Sequence, residues 1–408
     1  MNPVPRWLVA YALLGLVQSG MIPIVLPLAA APGATAGFTY AAFAASGVVA
    51  PFIGTWSDRR QRHRGTLVAG LAVASLACIA HALPGGVAQH MLSASLIGLG
   101  VASASTVATM FIVEVEPEPH WDGLIGMLQA FLSGGQLFGL LLAGVLGLRH
   151  VADALILSGL LLALAIPVAL RYAPDPVQVV GRPALKPRPP RSGDVGAIGA
   201  QRQMHRLTRR AFAGLAENGF GRFLLSWLLS YTATNGLSVM LSVVMVRHYG
   251  AHATLPTAAY AIGVGASLAI YRRVAEWDRR YGAWRVLRTG LVVRSVLIAA
   301  MLVLSLAGKG PGIVLPLLVC FAGTQFVWPL LSVASTALAV TLSPGRRAES
   351  AGLLNACTSL GATIGGVVGG VLVHGGFPLL CGVVLASLVV ALAIAWRLPV
   401  GAADRAMA

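Results

Sequence analysis

Charge is what this 408-residue chain has least of: Asp, Glu, Lys and Arg together make up 10% of it. A soluble domain carries about 25% charged residues, so a soluble globular fold is excluded. The 13 acids all fall in loops or near the ends of apolar runs, and no histidine is central to one. The interior of the protein therefore offers no obvious protonation switch. Cysteine is scarce too. Cys78, Cys320, Cys357 and Cys381 sit inside apolar runs without metal-ligand spacing, which makes them small packing residues and excludes a disulfide scaffold. The chain lacks G-x-x-x-x-G-K-[ST], and its many glycines are scattered over apolar runs, so it does not drive a pump with ATP by itself. No Ser-His-Asp set or metal cluster is present, and the chain is expected to be neither an enzyme nor a cofactor protein.

What is present is apolar sequence, 57% of the whole. A membrane span needs about 20 apolar residues. Twelve such runs lie at roughly 6–28, 37–56, 66–83, 91–113, 123–146, 152–171, 223–246, 256–275, 287–307, 312–340, 350–373 and 378–396. The fold class expected is all-α integral membrane, with 12 transmembrane helices in two pseudo-symmetric halves. The first run is too long for a cleavable signal peptide, and Tyr11, Gln18, Pro23 and Pro27 suit a working helix.

The net charge of +16 reads as topology, with attraction to anionic membrane lipids as a second effect, and no nucleic-acid partner is expected. With the N-terminus inside, 25 of the 29 basic residues fall on the inner side. Only Arg149, Arg247 and Lys309 fall outside, and Arg294 lies within span 9, where it is expected to snorkel to the inner surface, with a role toward an anionic substrate as the alternative. Both termini are thus expected in the cytoplasm. Arginine outnumbers lysine 27 to 2, which suggests a GC-rich genome and a bacterial inner membrane. The one long polar stretch is rich in proline and arginine and reads as a cytoplasmic linker. It contains a possible surface amphipathic helix at 204–217. The chain divides into an N-terminal six-helix half (1–172), the linker (173–221), a C-terminal half (222–397) and a tail (398–408).

The halves repeat. Residues 126–146 align without gaps on 352–372, with nine of 21 positions identical, including Gly135/Gly361, Gly139/Gly365, Gly144/Gly370 and Ser133/Ser359. At an offset of 220, Asp58-Arg59-Arg60 matches Asp278-Arg279-Arg280 and Tyr40 matches Tyr260.

Gly54-Thr-Trp-Ser-Asp58-Arg59-Arg60-Gln61-Arg62 lies between spans 2 and 3. It resembles the G-x-x-x-D-R-x-G-R-R loop of the major facilitator superfamily, with Gln61 in place of glycine. The resemblance implies two six-helix halves with substrate bound between them near mid-membrane. It also implies a cytoplasmic latch in which Asp58 pairs with Arg346 or Arg347 at the start of span 11 when that side closes. The mirror loop would bring Arg279 or Arg280 to Asp122 or Glu114, although Glu114 could instead bond Arg59. Gly135-x-x-x-Gly139-Leu140-x-x-Ala143-Gly144 resembles the family's antiporter motif without its proline. The family's cavity helices are 1, 4, 7 and 10, flanked by 2, 5, 8 and 11. On these spans lie Tyr11, Gln18, Tyr40, Gln129, Gln136, Tyr231, Asn235, Tyr260, Gln325, Trp328 and Asn355, outlining a neutral, amide- and aromatic-lined cavity.

The expected function is alternating-access transport of a small neutral or amphipathic organic solute, outward by the glycine motif, by a monomer. If protons are coupled, Glu114, Asp153 and Glu217 are the groups that could titrate. A nutrient importer or facilitator, and a non-transporting membrane sensor on the same fold, are the alternative readings.

Overall fold

A computed structural model describes residues 5–30, 34–49, 52–53, 56–57, 60, 62–115, 121–146, 150–174, 219–252, 254–308, 310–342 and 347–397. Gly54, Asp58, Arg59, Arg346, Glu217 and the 204–217 segment lie outside the described residues.

The described chain is all helix. In order, α1 spans Leu8–Ala29, α2 Ala34–Ala45 with a tighter turn at Ser46–Val49, α3 His63–Ala82, α4 Val87–Val115, α5 Trp121–Leu146 and α6 Val151–Tyr172. The second half has α7 Gly219–Arg247, α8 Thr254–Tyr281, α9 Ala283–Leu306, α10 Pro311–Phe326 and Trp328–Leu342, α11 Arg347–Leu372 and α12 Phe377–Trp396. Ten of these contain a stretch long and apolar enough to span a membrane. Two shorter apolar segments, Thr35–Val49 and Ala130–Leu146, complete the expected set.

Several boundaries differ from expectation, and two of the shifts have a local reason. Helix α7 begins at Gly219, because Phe220 and Phe223 bury their rings in the core and extend it by a turn. Helix α8 runs on to Tyr281, so Asp278 and Arg279 stand on a helix and not in a loop. The chain then reverses at a single residue. Gly282 has φ 85° and donates its N–H to the Asp278 carbonyl at 2.9 Å, a left-handed cap that favours glycine.

Proline shapes two cavity helices. In α1 a wide turn of π type covers Leu16–Met21 just before Pro23. The ring of Pro23 would crowd the carbonyl four residues back, and the wider turn relieves it. In α10, Pro329 cannot donate to the Gln325 carbonyl, and the helix is interrupted at Val327.

The halves are built alike. Helix α1 packs on α5, α2 on α4, and α3 on α4 and α6. Correspondingly α7 packs on α11, α8 on α10, and α9 on α10 and α12. Each half has its own apolar core. Between halves, α2 meets α11 and α5 meets α8, a pair of contacts that the repeat exchanges.

Glycine sets these approaches, because small residues let backbones touch where lipid gives little hydrophobic drive. Gly135 and Gly139 lie against the backbone of α1 at Ala12, Leu16 and Gly20. Their repeats Gly361 and Gly365 lie against α7 at Tyr231, Thr232 and Gly236. The motif therefore glues each half internally. A second glycine face, Gly366 and Gly370, meets Gly37 and Ala41 of α2 across the halves.

The cross-half contacts run from the end opposite the chain termini to the middle. A Cβ at Gly144 would lie 3.4 Å from Thr257 Cβ, while Gly47 meets Ser359 and Gly265 meets Leu137 nearer the centre. The cores interlock at the same end: Ala30, Ala36 and Tyr40 join the core of the second half, and Ala261 and Val264 join that of the first. Among the described residues, no glycine contact of this kind joins the halves at the terminus-bearing end.

Candidate functional site

Beneath the clasped end, polar and aromatic side chains from α2, α7, α8, α9 and α10 converge. Tyr40 lies beside Asn235 of the other half, and Tyr231 and Tyr260 are each within electrostatic reach of both Tyr40 and Arg294. An aromatic wall backs them. Trp227, Tyr231 and Trp328 pack with ring centroids 5.8 to 6.0 Å apart, and Tyr260 meets Phe321 edge-on at 5.6 Å. Trp227 Nε1 donates to Thr358 Oγ1 at 2.9 Å, which ties α7 to α11 and sets the angle of the wall. Gln325 Nε2 donates to Ser238 Oγ at 3.4 Å. Asn235 Oδ1 and Thr232 Oγ1 are buried without a partner.

Other expected cavity residues are placed differently. Tyr11 is turned away from the cluster. Its hydroxyl donates to the Ala104 carbonyl of α4 at 3.1 Å, and its ring packs edge-on against Trp7 in the core of the first half. Gln18 sits in the wide turn of α1 and accepts from Ser105 Oγ at 3.1 Å. Gln136 is half-buried, with its backbone carbonyl against Gly20. Asn355 is exposed. The side chain of Gln129 lies outside the described residues.

Arg294 departs most from expectation. It does not snorkel: it is 2% exposed and reaches between α7 and α10. It stands roughly 17 Å along the axis from either end of α9 at about 1.5 Å per residue, beyond the reach of an arginine side chain. The expected span 287–307 put it only about 10 Å from the inner end at the same rise per residue, and the structure starts the helix four residues earlier, at Ala283. The expected neutral lining thus has a fixed charge behind it. Trp227 and Tyr271, the latter beside Ser332 and Trp328, also belong to this region, and apolar periodicity gave no signal for them.

At the terminus-bearing end, Arg62 is exposed ahead of α3. The side chains of Glu114, Asp122, Arg279 and Arg347 lie outside the described residues. Nearby, Ser57, His63 and Thr66 form a buried hydrogen-bonded set: Ser57 Oγ is 2.8 Å from His63 Nδ1, and Thr66 Oγ1 donates to Ser57 Oγ at 3.0 Å. The structure therefore ties the basic loop to the start of α3. Asp153, at the opposite end, is exposed and pairs with His150 at 3.3 Å.

Asp278 is half-buried with Oδ1 unpartnered, and burial pushes its carboxyl above the usual carboxylate range. The sign follows from linkage. At low pH the group is neutral in both the folded and unfolded chain and costs nothing. As pH rises past its ordinary value near 3.8, the unfolded chain ionises first, and stability falls until the folded carboxyl has ionised. Asp278→Asn should therefore raise Tm at pH 7 and leave it nearly unchanged below the ordinary carboxyl value near 3.8, as read by melts of the detergent-solubilised protein. A lower Tm for the variant at pH 7 would mean that the carboxylate has a partner.

A family model described as Major Facilitator Superfamily matches residues 7–339. No curated relative matches the chain. Among solved structures, it is similar to a bacterial homologue of the iron transporter ferroportin in an inward-facing state. That match has 18% identity, a TM-score of 0.71 and coverage of 97% of both chains. It is similar to the xylose transporter XylE from E. coli in an inward open conformation, at 13% identity and TM-score 0.69, over 96% of this chain and 95% of that one. A POT family transporter in complex with 5-aminolevulinic acid gives 12% identity and TM-score 0.71, over 96% and 94%. At these identities the likeness is one of fold.

Proposed function

The chain belongs to the Major Facilitator Superfamily, a family of secondary transporters and not of enzymes, and from that premise we propose that it moves a small amphipathic organic solute by alternating access. The observation that carries this reading is the asymmetry of the bundle. The halves are clasped at one end through α2–α11 and α5–α8, above a cluster of tyrosine, tryptophan and amide side chains.

With 25 of 29 basic residues on the terminus-bearing side, the reading places that side in the cytoplasm of a bacterial inner membrane. The clasped end is then external and the conformation faces inward. The glycine motif favours export by family resemblance. The internal packing of Gly135 and Gly139 gives that direction no separate support. The latch reading assigns Asp58 and Arg346 to closing the cytoplasmic end, which biases a two-state equilibrium.

The test is a thermal-stabilisation screen of organic solutes at two pH values, followed by proteoliposome flux with the hits. Asp58→Asn and Arg346→Ala should each slow flux at least tenfold, about 1.4 kcal/mol in the balance of states, without loss of solute-induced stabilisation. Undiminished flux in both variants would overturn the latch, and absence of flux for every stabilising solute would overturn transport.

A further inference from the structure

Arg294 is a buried cation with no counter-ion. Its Nη1 donates to Thr234 Oγ1 at a long 3.4 Å and its Nη2 to the Thr324 carbonyl at 2.9 Å, while Nε is buried without a partner. The guanidinium carbon is 5.8 Å from the centroid of the Trp328 ring. A guanidinium has five N–H donors and stays charged at any pH the protein meets. Among the described residues no carboxylate pairs with it. The described acids of the second half, Glu276 and Asp278, lie in the last two turns of α8, far along the bundle from mid-α9. An isolated charge this deep is costly and is expected to have a functional partner.

We propose that the cluster beneath the clasp takes an organic anion, a carboxylate or a phosphate on an apolar body. Arg294 supplies the attraction from directly behind the wall, and the Trp328 and Tyr231 rings take the apolar part. The proposal rests on the transporter reading for the position of the cavity, and it narrows the solute from amphipathic to anionic. The competing role is that of a structural staple joining α9 to α7 and α10.

The experiment uses the full chain in detergent and measures stabilisation by benzoate, phenyl phosphate and benzamide, up to about 10 mM, the weak end of specific binding. Wild-type protein should respond to at least one anion with an apparent affinity at least tenfold tighter than to the neutral amide. Carboxylate and phosphate are told apart by which of the two responds. Arg294→Gln should lose that preference and, without ligand, melt at or above the wild-type temperature, because it removes an uncompensated charge. Arg294→Lys should keep part of the preference.

Equal response of the wild type to benzoate and benzamide, no response to either anion, or an unchanged anion preference in Arg294→Gln would each overturn the proposal. If Arg294→Gln does not fold, the wild-type comparison of anion with amide decides alone. Failure here leaves alternating-access transport of a neutral solute standing. Failure of flux in the proteoliposome test would remove the transporter reading itself.

Discussion

Gly135→Ala should leave little folded protein, whereas Gly134→Ala, one position earlier on the same helix, should be tolerated or slightly stabilising. The added atom is the same methyl group, so the difference comes from where each α-carbon points. A Cβ at Gly135 would lie 2.8 Å from Leu16 N and 2.9 Å from Ala12 C, and it would run into the Ala12 carbonyl oxygen. These are backbone atoms of α1 and cannot turn aside as a side chain would. Helix α1 would have to retreat, and the rest of the seam, where Gly15 meets Leu132 and Gly20 meets Gly139, would open. The expected cost is about 3 kcal/mol or more, at the upper end of overpacking effects. At Gly134 nothing lies within 4 Å, and alanine is the better helix former by up to about 1 kcal/mol. Thermal melts and the yield of monodisperse detergent-extracted protein would check the pair. Similar melting of both variants would mean that α1 and α5 do not meet along this seam.

A cysteine pair at Gly144→Cys and Thr257→Cys should cross-link on oxidation and lock the protein. The Cβ separation of 3.4 Å sits at the short edge of disulfide geometry, where about 3.5–4.5 Å is usual. The two positions belong to different halves, at the ends of α5 and α8 opposite the chain termini, so the bond would hold the clasp shut. Alternating access requires that clasp to part in each cycle. Flux should therefore fall to background under oxidant and return with reductant, while the single-cysteine variants should be unaffected by either. The four native cysteines all lie within helices, with Cys78 and Cys381 fully buried, so they add little background. Efficient cross-linking with undiminished flux would mean that the α5–α8 contact does not open during transport.

How much was readable in advance differs from residue to residue. The repeat of 126–146 in 352–372 pointed to matching packing, and Gly361 and Gly365 do lie on α7 as Gly135 and Gly139 lie on α1. The sequence did not reveal that this seam lies within each half, nor that Gly366 and Gly370 form a separate face toward α2. Both faces have the same four-residue spacing, and spacing carries no record of which neighbour a face meets. Tyr40, Tyr231, Asn235 and Tyr260 converge, but Tyr11, on a cavity helix by order, turns its hydroxyl to Ala104. Arg294 was assigned to the surface by a rule about charge in lipid, and it instead points to Thr234 and Thr324.

The sequence by itself determined that the chain is a membrane-spanning helical bundle, how many apolar segments it has, that its halves are duplicated, and how its charge is distributed between the loops. Those properties follow from the length and composition of local stretches, which solvent transfer reads one segment at a time. Only the tertiary structure decided the rotation of each helix, the end at which the halves clasp, and the burial of a lone guanidinium behind the aromatic wall. A helix that is apolar all round has no hydrophobic face to orient it in lipid. Its rotation is chosen by backbone fit at glycines and by hydrogen bonds between residues far apart in the chain.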